Sequence, residues 1–429
     1  MQFKWNNYAG FSPQVVQRIC AKALPRVKQL AKLLCDFSYA DDASSVALPF
    51  DPVFLKQSAG LAAKFKHIEL VIVIGIGGSN LGAQAVFEAV KGKHCNLFSK
   101  KKILWLDAID ADLLSVAKKA MQLTPSSKTL LIVISKSGST TETITNFQAV
   151  YKKGVNVAVV SDRGSPLHNL ATRMKFHYLE IPASVGGRYS VFSNVGLFPL
   201  AVMGIDVEKL LKGAARGNRE SLLLNWKQNP ALVTAALLYL HHKKGKHLHE
   251  SFFFSNSLES LGKWYRQLLA ESTGKENNLQ GKMVNEGITP LVATAADLHS
   301  QAQLYFGGKN DRFYTVVDVE KQSSFAIQSM KQAAIIVPEI QGKKTADVIK
   351  AIAVGFKKTL ASYKRPFVEI KFSELSEEEI GEYMQIQMVA VILLCHLLNV
   401  SPFGQPNVED YKTESKKQLR GKFNKPFKR

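Results

Sequence analysis

The sequence predicts an α/β fold in which two mostly parallel, doubly wound sheets are flanked by helices. Short apolar runs alternate with segments of helical periodicity, and the runs end in loops rich in Gly, Asp or Ser. A parallel sheet covered by helices on both faces requires such uninterrupted apolar strands. The chain has 429 residues and is 46% hydrophobic, which supplies enough apolar surface for more than one core.

Four apolar runs predict the strands of the first sheet, at residues 70–74, 103–106, 130–134 and 155–160. Helical periodicity predicts a helical region at 12–37 before them and a helical stretch at about 205–240 after them. Three further apolar runs predict a second sheet, at 250–254, 314–317 and 333–337. The mostly apolar segment 377–398 predicts a long helix that closes the chain.

These elements divide the chain into four parts. We predict an N-terminal helical segment at 1–45 and a first sheet domain at 46–205. A second sheet domain with its connecting helices follows at 206–400, and a basic segment ends the chain at 401–429.

The charge and the cysteine content limit the function classes. The net charge is +21, but no zinc-finger spacing or RNA-recognition signature accompanies it, so we do not expect a nucleic-acid partner. A positive field also attracts a small polyanionic substrate. The four cysteines have no disulfide or metal-ligand spacing, which favours a reduced cytoplasmic protein. The longest apolar run is shorter than the roughly 20 residues that span a membrane, so we expect a soluble protein.

A loop rich in hydroxyl groups follows the predicted strand at 130–134. It begins Ser135-Lys136-Ser137 and continues through Thr140 into a helical pattern. Hydroxyls and backbone N–H groups at a helix N-terminus, on the carboxyl edge of a parallel sheet, form a site for an anion such as phosphate. The alternative is an ordinary turn with a helix cap.

A glycine-rich loop at 75–82 matches neither nucleotide-binding motif. The sixth position of a dinucleotide fingerprint is occupied by Asn80, and Ala83-Gln84 replaces the Lys-Ser or Lys-Thr of a P-loop. The glycines suit either a tight turn or close approach of the backbone to a ligand.

Five further motifs occur along the chain: Gly-Ile-Gly-Gly-Ser at 75–79, Val-Gly-Gly-Arg-Tyr-Ser at 185–190, Glu-Ser-Thr-Gly-Lys at 271–275, Asp-Leu-His-Ser at 297–300 and Gln-Pro-Asn-Val-Glu-Asp-Tyr-Lys at 405–412. Together, in this order, they resemble the glucose-6-phosphate isomerase family. The resemblance implies two sugar-isomerase-type domains and a homodimer with shared active sites. It also implies interconversion of glucose 6-phosphate and fructose 6-phosphate without a metal or an organic cofactor.

The resemblance also implies the roles of individual residues. Glu271 matches the base that moves a proton between carbons 1 and 2, and Arg188 matches the cation that stabilises the enediolate. His299 matches the histidine that opens the sugar ring, and Lys412 matches the lysine near the ring oxygen. Seven further positions match contacts with the phosphate or the sugar: Gly78, Ser79, Ser135, Lys136, Ser137, Thr140 and Gln267.

Four positions depart from the family pattern. Gly404 stands where an acid or amide is usual and Asn407 where a glycine is usual, while Ala183 and Thr273 replace polar residues near the Arg188 and Glu271 motifs. None of the four has an implied role in proton transfer. A non-catalytic sugar-phosphate-binding regulator on the same fold is the alternative function, although such a protein would be expected to lack Glu271 or Arg188.

Overall fold

Two five-stranded sheets with flanking helices make up the computed structural model, which describes residues 1–5, 8–330, 332 and 334–421. In these residues the α-helices are α1 (Pro13–Lys32), α2 (Pro52–Ala62), α3 (Leu81–Lys91), α4 (Ala111–Leu123), α5 (Thr141–Val150), α6 (Pro166–Met174), α7 (Asn194–Val202), α8 (Val207–Ser221), α9 (Pro230–Lys243), α10 (Glu259–Thr273), α11 (Leu298–Gly307), α12 (Thr345–Ser362), α13 (Glu377–Leu398) and α14 (Val408–Arg420). The strands are β1 (Gln2–Lys4), β2 (Leu70–Ile74), β3 (Lys102–Leu106), β4 (Thr129–Ile134), β5 (Asn156–Ser161), β6 (His177–Glu180), β7 (Leu248–Phe253), β8 (Lys275–Asn277), β9 (Met283–Glu286), β10 (Thr289–Thr294), β11 (Arg312–Val319) and β12 (Phe367–Phe372).

The first sheet is parallel throughout, in the order β3-β2-β4-β5-β6. Every residue of β2 and β4 is buried, as expected for strands covered on both faces. The four predicted strands are confirmed to within one residue at each end. Because β3 and β4 lie on opposite sides of β2, the chain changes direction at β2, and the loops after β2 and β4 border the crevice where such sheets bind ligands.

The second sheet has the order β1-β12-β11-β7-β10. Strands β7, β10, β11 and β12 are parallel, and β1 adds to the β12 edge in the antiparallel direction. The predicted strands at 250–254 and 314–317 are confirmed as β7 and β11. The predicted N-terminal helical segment did not include β1, which joins the start of the chain to the second sheet.

One predicted strand is wrong. Ala333 of the run 333–337 lies outside the described residues, and residues 334–336 form a turn. The side chains of Ile335 and Ile336 are 82% and 76% exposed. Pro338 follows this run at once and cannot donate to a sheet ladder, so apolar composition alone did not make a strand here.

The predicted helical stretch at 205–240 forms two helices, α8 and α9. Asn229 caps the second one by accepting a hydrogen bond from the N–H of Leu232, with Pro230 at its first position. The long helix predicted at 377–398 is confirmed as α13, although α14 follows it.

Helix α13 lies in the core of the protein. Among the described residues it is the one helix that is long and apolar enough to cross a membrane, but 89% of its 18-residue apolar window is buried inside the protein. It crosses α8 backbone to backbone, because a Cβ atom at Gly213 would lie 1.8 Å from the carbonyl oxygen of Glu378. The helix is therefore a core element, as in a soluble protein.

Candidate active site

Two glycine loops meet at the carboxyl edge of the first sheet. A Cβ atom at Gly78, after β2, would lie 2.2 Å from the backbone carbonyl carbon of Gly187. Only glycine permits this approach, since a real Cβ would overlap the neighbouring backbone. The contact places the loop that carries Arg188 directly over the crevice of the first sheet.

The hydroxyl-rich loop leads into the N-terminus of α5. Ser135 is buried, and its Oγ lies 2.9 Å from the Oγ1 of Thr140. Thr140 is the residue before the helix, yet its side chain accepts no hydrogen bond from the first turn. Thr143, in that turn, is 1% exposed, and its hydroxyl has no hydrogen-bond partner among the described residues. A helix N-terminus with free N–H groups and spare hydroxyls suits an anion.

Two more predicted residues lie in this loop. Ser137 is exposed, and its hydroxyl accepts a hydrogen bond from the hydroxyl of Ser139 at 3.3 Å. The Nζ of Lys136 donates to the backbone oxygen of Ala183, which ties the hydroxyl loop to the Arg188 loop. Because this contact uses the backbone of Ala183, it does not depend on the polar side chain that is usual at that position.

Arg188 brings together side chains from distant parts of the chain. The residue is 3% exposed, and its Nε donates to the hydroxyl of Ser272 at 2.9 Å. Its Nη1 donates both to Oε2 of Glu271 at 3.0 Å and to Oε1 of Gln405 at 2.8 Å. A guanidinium carries five donors in a fixed plane, so these contacts set the position of the carboxylate relative to the cation.

The other Nη of Arg188 holds the backbone of a loop near the C-terminus. It donates to the carbonyl oxygens of Pro402 at 2.6 Å and Gly404 at 3.3 Å. Gly404 has φ of +68°, in the left-handed region that favours glycine. The departure from the family pattern at this position therefore matches the backbone conformation that the loop adopts.

Both oxygens of Glu271 are held. Oε2 accepts from Arg188, and Oε1 accepts from the Nε2 of Gln267 at 3.0 Å. Gln267 lies one turn earlier on the same face of α10. The Glu271 side chain remains 32% exposed, so a substrate can reach a carboxylate whose orientation is fixed.

A cavity of about 610 Å³ lies between the Arg188 loop and the C-terminal loop. Lys136, Arg188, Gln405 and Glu409 are among the residues that line it. Its volume is in the range usual for small-molecule sites. Ser79 of the predicted set is half-buried in the glycine loop, which borders the same edge of the sheet.

Two predicted catalytic residues are not in this cluster. His299 is exposed at the start of α11, just beyond the carboxyl end of β10. Helix α10 starts at the carboxyl end of the same strands and runs back across the sheet, and Glu271 is near its end. The 12 residues from the start of α10 to Glu271 correspond to a rise of about 18 Å along the helix. His299 and Glu271 therefore lie at opposite edges of the second sheet.

Lys412 is not among the residues that line the cavity, although a neighbour on its helix is. It is on α14, where its Nζ pairs with Oε1 of Glu409 at 2.7 Å. Because Glu409 lines the cavity and is three residues earlier on the helix, Lys412 lies on the same side of α14.

Sequence reasoning assigned no role to Ser272 or Gln405. Both lie within the motifs that carried the resemblance, but only the folded chain shows that they bond Arg188. Ser272 also lies 2.9 Å from the hydroxyl of Tyr189, so it connects two neighbours of the site.

Comparison with known proteins identifies the family. A family model described as "Phosphoglucose isomerase" matches residues 55–421. The chain belongs to the phosphoglucose isomerase family. The glucose-6-phosphate isomerase of Mycoplasmopsis synoviae is 33% identical over 361 residues, which cover 80% of this chain and 81% of that protein. The glucose-6-phosphate isomerase of Methanocaldococcus jannaschii is 31% identical over 362 residues, which cover 81% of this chain and 84% of that protein.

Solved structures share the fold of this phosphoglucose isomerase. A hypothetical protein from Thermus thermophilus has a TM-score of 0.86 and 29% identity, covering 98% of this chain and 100% of that chain. The glucose-6-phosphate isomerase of Chlamydia trachomatis has a TM-score of 0.79 and 19% identity, covering 97% of this chain and 88% of that chain, and so shows the shared fold.

The hydroxyl loop before α5 is expected to bind the phosphate of a sugar phosphate. Replacing Ser137 and Thr140 together by Ala should weaken binding of a sugar-acid phosphate inhibitor roughly 10-fold or more, because hydrogen bonds to its charged phosphate are lost. Calorimetric titration of the purified variant measures this. Thr145→Ala, an exposed position further along α5, is the matched control and should bind like the wild type. Unchanged affinity in a folded double variant would refute the phosphate assignment.

Proposed function

We propose that Glu271 and Arg188 carry the chemistry of this phosphoglucose isomerase, the reversible isomerisation of glucose 6-phosphate and fructose 6-phosphate. The observation that carries the proposal is the 3.0 Å contact between a buried guanidinium and a partly exposed carboxylate. Curated relatives named glucose-6-phosphate isomerase support the activity.

The reaction moves one proton from carbon 2 to carbon 1 of the open-chain sugar, and another from the carbon-2 hydroxyl to the carbon-1 oxygen. Glu271 takes the proton from carbon 2 of the aldose, and the electron pair left behind forms the enediolate. The protonated Glu271 then returns the proton to carbon 1, the carbon-2 hydroxyl gives its proton to the carbon-1 oxygen, and the ketose results. Negative charge thus passes from the carboxylate to the substrate oxygens, where a fixed cation stabilises it most effectively because it need not reorganise.

Arg188 suits this task because it stays charged. Its guanidinium is not deprotonated in proteins, so it cannot compete with Glu271 for the transferred proton. As Glu271 becomes neutral, its hydrogen bond to Arg188 weakens, and the same Nη1 can then donate to the enediolate oxygen. The cation therefore supports the carboxylate in the resting site and the substrate anion during the reaction.

The phosphate of the substrate serves as a handle. The proposed phosphate contacts are Ser135, Lys136, Ser137 and Thr140, at the N-terminus of α5, with Gly78 and Ser79 of the glycine loop beside them. The Nε2 of Gln267 donates a hydrogen bond to Glu271. The proposed role of Gln267 is therefore to orient the base as well as to contact the substrate. Binding of this non-reacting group positions the reacting carbons, which raises kcat/KM.

A non-catalytic regulator would be expected to have lost the base or the cation. Here Glu271 and Arg188 are both present and contact each other, so the regulator hypothesis has no supporting observation.

The base assignment makes a direct prediction. Glu271→Gln should bind substrate but lose roughly 10²- to 10⁴-fold in kcat, because the amide cannot accept the proton. A coupled assay with fructose 6-phosphate measures turnover. Glu208→Gln, at an exposed glutamate on α8 away from the site, is the control and should keep wild-type activity. If Glu271→Gln still exchanges the carbon-2 proton with solvent at the wild-type rate, Glu271 is not the base.

We also propose that His299 acts in the site of a partner subunit. Because His299 and Glu271 lie at opposite edges of the second sheet, a histidine that opens the sugar ring beside Glu271 has to come from a second copy of the chain. A two-fold dimer would place each His299 in the other subunit's site and complete both sites at once.

Mixed dimers test this arrangement. Homodimers of Glu271→Ala and of His299→Ala should each be nearly inactive, whereas a mixed dimer has one site with both lesions and one intact site. Co-refolding equal amounts makes about half the dimers mixed, so activity should recover to roughly a quarter of wild type. Differently tagged subunits confirm that mixed dimers form. No recovery despite mixed dimers would show that the histidine acts within its own chain.

We propose a cytoplasmic location on the basis of the thiols. All four cysteines are free, and they lie within the described residues. Burial raises the pKa of the Cys20 and Cys395 thiols to about 12, so both remain neutral and unreactive. A reducing compartment is the setting in which such thiols persist.

A further inference from the structure

We propose that Lys275 is a positioning residue of the isomerase site and that its charge holds loop 402–405 in the arrangement that orients Arg188 and Gln405. The inference rests on the proposed function, since it concerns the same site. Lys275 contributes no proton to the reaction in this proposal. It acts through the loop.

Two cations hold this loop by consecutive backbone oxygens. The Nζ of Lys275 donates to the carbonyl oxygens of Gly404 at 2.7 Å and Phe403 at 3.3 Å. Arg188 holds the oxygens of Pro402 and Gly404. The next side chain, Gln405, accepts from Arg188 and lines the cavity. Release of the carbonyls by Lys275 would therefore free the segment that aligns Gln405 and the far side of the guanidinium.

The position of Lys275 couples the loop to the catalytic base. It is four residues after Glu271, at the start of β8, which follows directly on α10. Lys275 is only 8% exposed, which is unusual for a lysine. Burial of its ammonium group costs free energy unless the group is hydrogen-bonded or paired. One stretch of chain thus supplies both the base and the second cation of the loop.

The titratable groups around Lys275 come from several elements. They are Arg188 beside it, Glu271 on α10, the Cys395 thiol on α13, and Glu286 opposite in the β8–β9 pair, whose carboxylate bonds His242 and Lys243. Burial, followed by the charge of Arg188, lowers the pKa of Lys275 from 10.5 to about 8. The ammonium is therefore charged at neutral pH and loses its charge within an accessible range.

Loss of the charge affects activity and stability in opposite directions. Above pH 8 the amine is neutral and a weaker donor to the carbonyls, so the loop should loosen and activity should fall. The pKa of Lys275 is lower in the folded chain than in the unfolded chain. Between about pH 8 and 10.5 the unfolded chain therefore binds more protons than the folded chain. This group therefore favours the folded state more as the pH rises. An alkaline loss of activity without loss of thermal stability would report on the loop and not on unfolding.

The first measurement uses the wild-type enzyme. The pH profile of kcat/KM, which reports ionisations of the free enzyme, should fall on the alkaline side with an apparent pKa near 8. The melting temperature is recorded over the same range. A flat profile from pH 7 to about 9.5 would overturn the proposal.

Variants separate the charge from the packing. Lys275→Met should lower kcat/KM at pH 7 roughly 10- to 100-fold and remove the alkaline fall, because the charge-assisted hydrogen bonds are absent at every pH. Lys275→Arg should retain more activity, with its alkaline limb moved beyond pH 10, since the guanidinium stays charged. A Met variant that keeps both the wild-type rate and the alkaline fall would contradict the proposal.

Lys101 supplies the matched control. Its Nζ also donates to a backbone oxygen, that of Val202 at 2.8 Å, and burial also lowers its pKa. It lines a separate cavity of about 620 Å³ that contains none of the predicted site residues. Lys101→Met should leave kcat/KM and its pH profile unchanged. If Lys101→Met and Lys275→Met change kcat/KM and its pH profile alike, the effect of Lys275 is not specific to the site, which would contradict the proposal.

Hydrogen exchange gives a readout that does not depend on the reaction. The backbone amides of Phe403, Gly404 and Gln405 should exchange faster in Lys275→Met than in the wild type or in Lys101→Met. If the wild type fails to isomerise fructose 6-phosphate, the proposed function fails while this exchange difference still decides the role of Lys275. If the wild type is active but the Lys275→Met loop exchanges at the wild-type rate, the loop proposal alone fails.

Discussion

The site depends on the hydrogen bonds of one buried guanidinium. Arg188 comes from the loop over the first sheet, Glu271 and Ser272 from α10, and Pro402, Gly404 and Gln405 from the C-terminal loop. All its donors are engaged, so its position and the positions of its partners are fixed together. Because a buried cation without partners is costly, these hydrogen bonds favour the packing that brings the three segments together here.

The second sheet determines how Glu271 and His299, the other proposed catalytic groups, are distributed. Helix α10 carries Glu271, the proposed base, back to the amino end of the strands, while the loop after β10 leaves His299 at their carboxyl end. This separation follows from the parallel topology, in which each helix reverses the direction of the strand before it. A parallel domain of this kind thus presents side chains at both ends of its strands, which is the arrangement that the proposed sharing of sites between two subunits requires.

The sequence was sufficient for much of the fold. Strands β2, β4 and β5 are continuous apolar runs because both faces are covered, and such runs can be recognised without tertiary information. Strands β6 and β10 were missed because one is short and polar and the other is an edge strand that contains Pro290. The run 333–337 has the composition of a strand but has no neighbouring strand in the described residues.

For the site, motifs indicated Glu271 and Arg188. Nothing in the local sequence shows that Gln405, 217 residues away from Arg188, accepts a hydrogen bond from it. Long-range contacts and the burial of Lys275 belong to the folded chain, and the residue roles remain predictions.

The most direct test of the central role of Arg188 is a double-mutant cycle of kcat/KM with Arg188→Lys and Glu271→Gln. Lysine keeps the charge but cannot reproduce the planar fork that sets the carboxylate. If the two residues act as one unit, the double variant should be about as slow as the slower single variant, because each substitution already removes the shared function. Losses that multiply across the cycle would show that Arg188 and Glu271 act independently and would contradict the account.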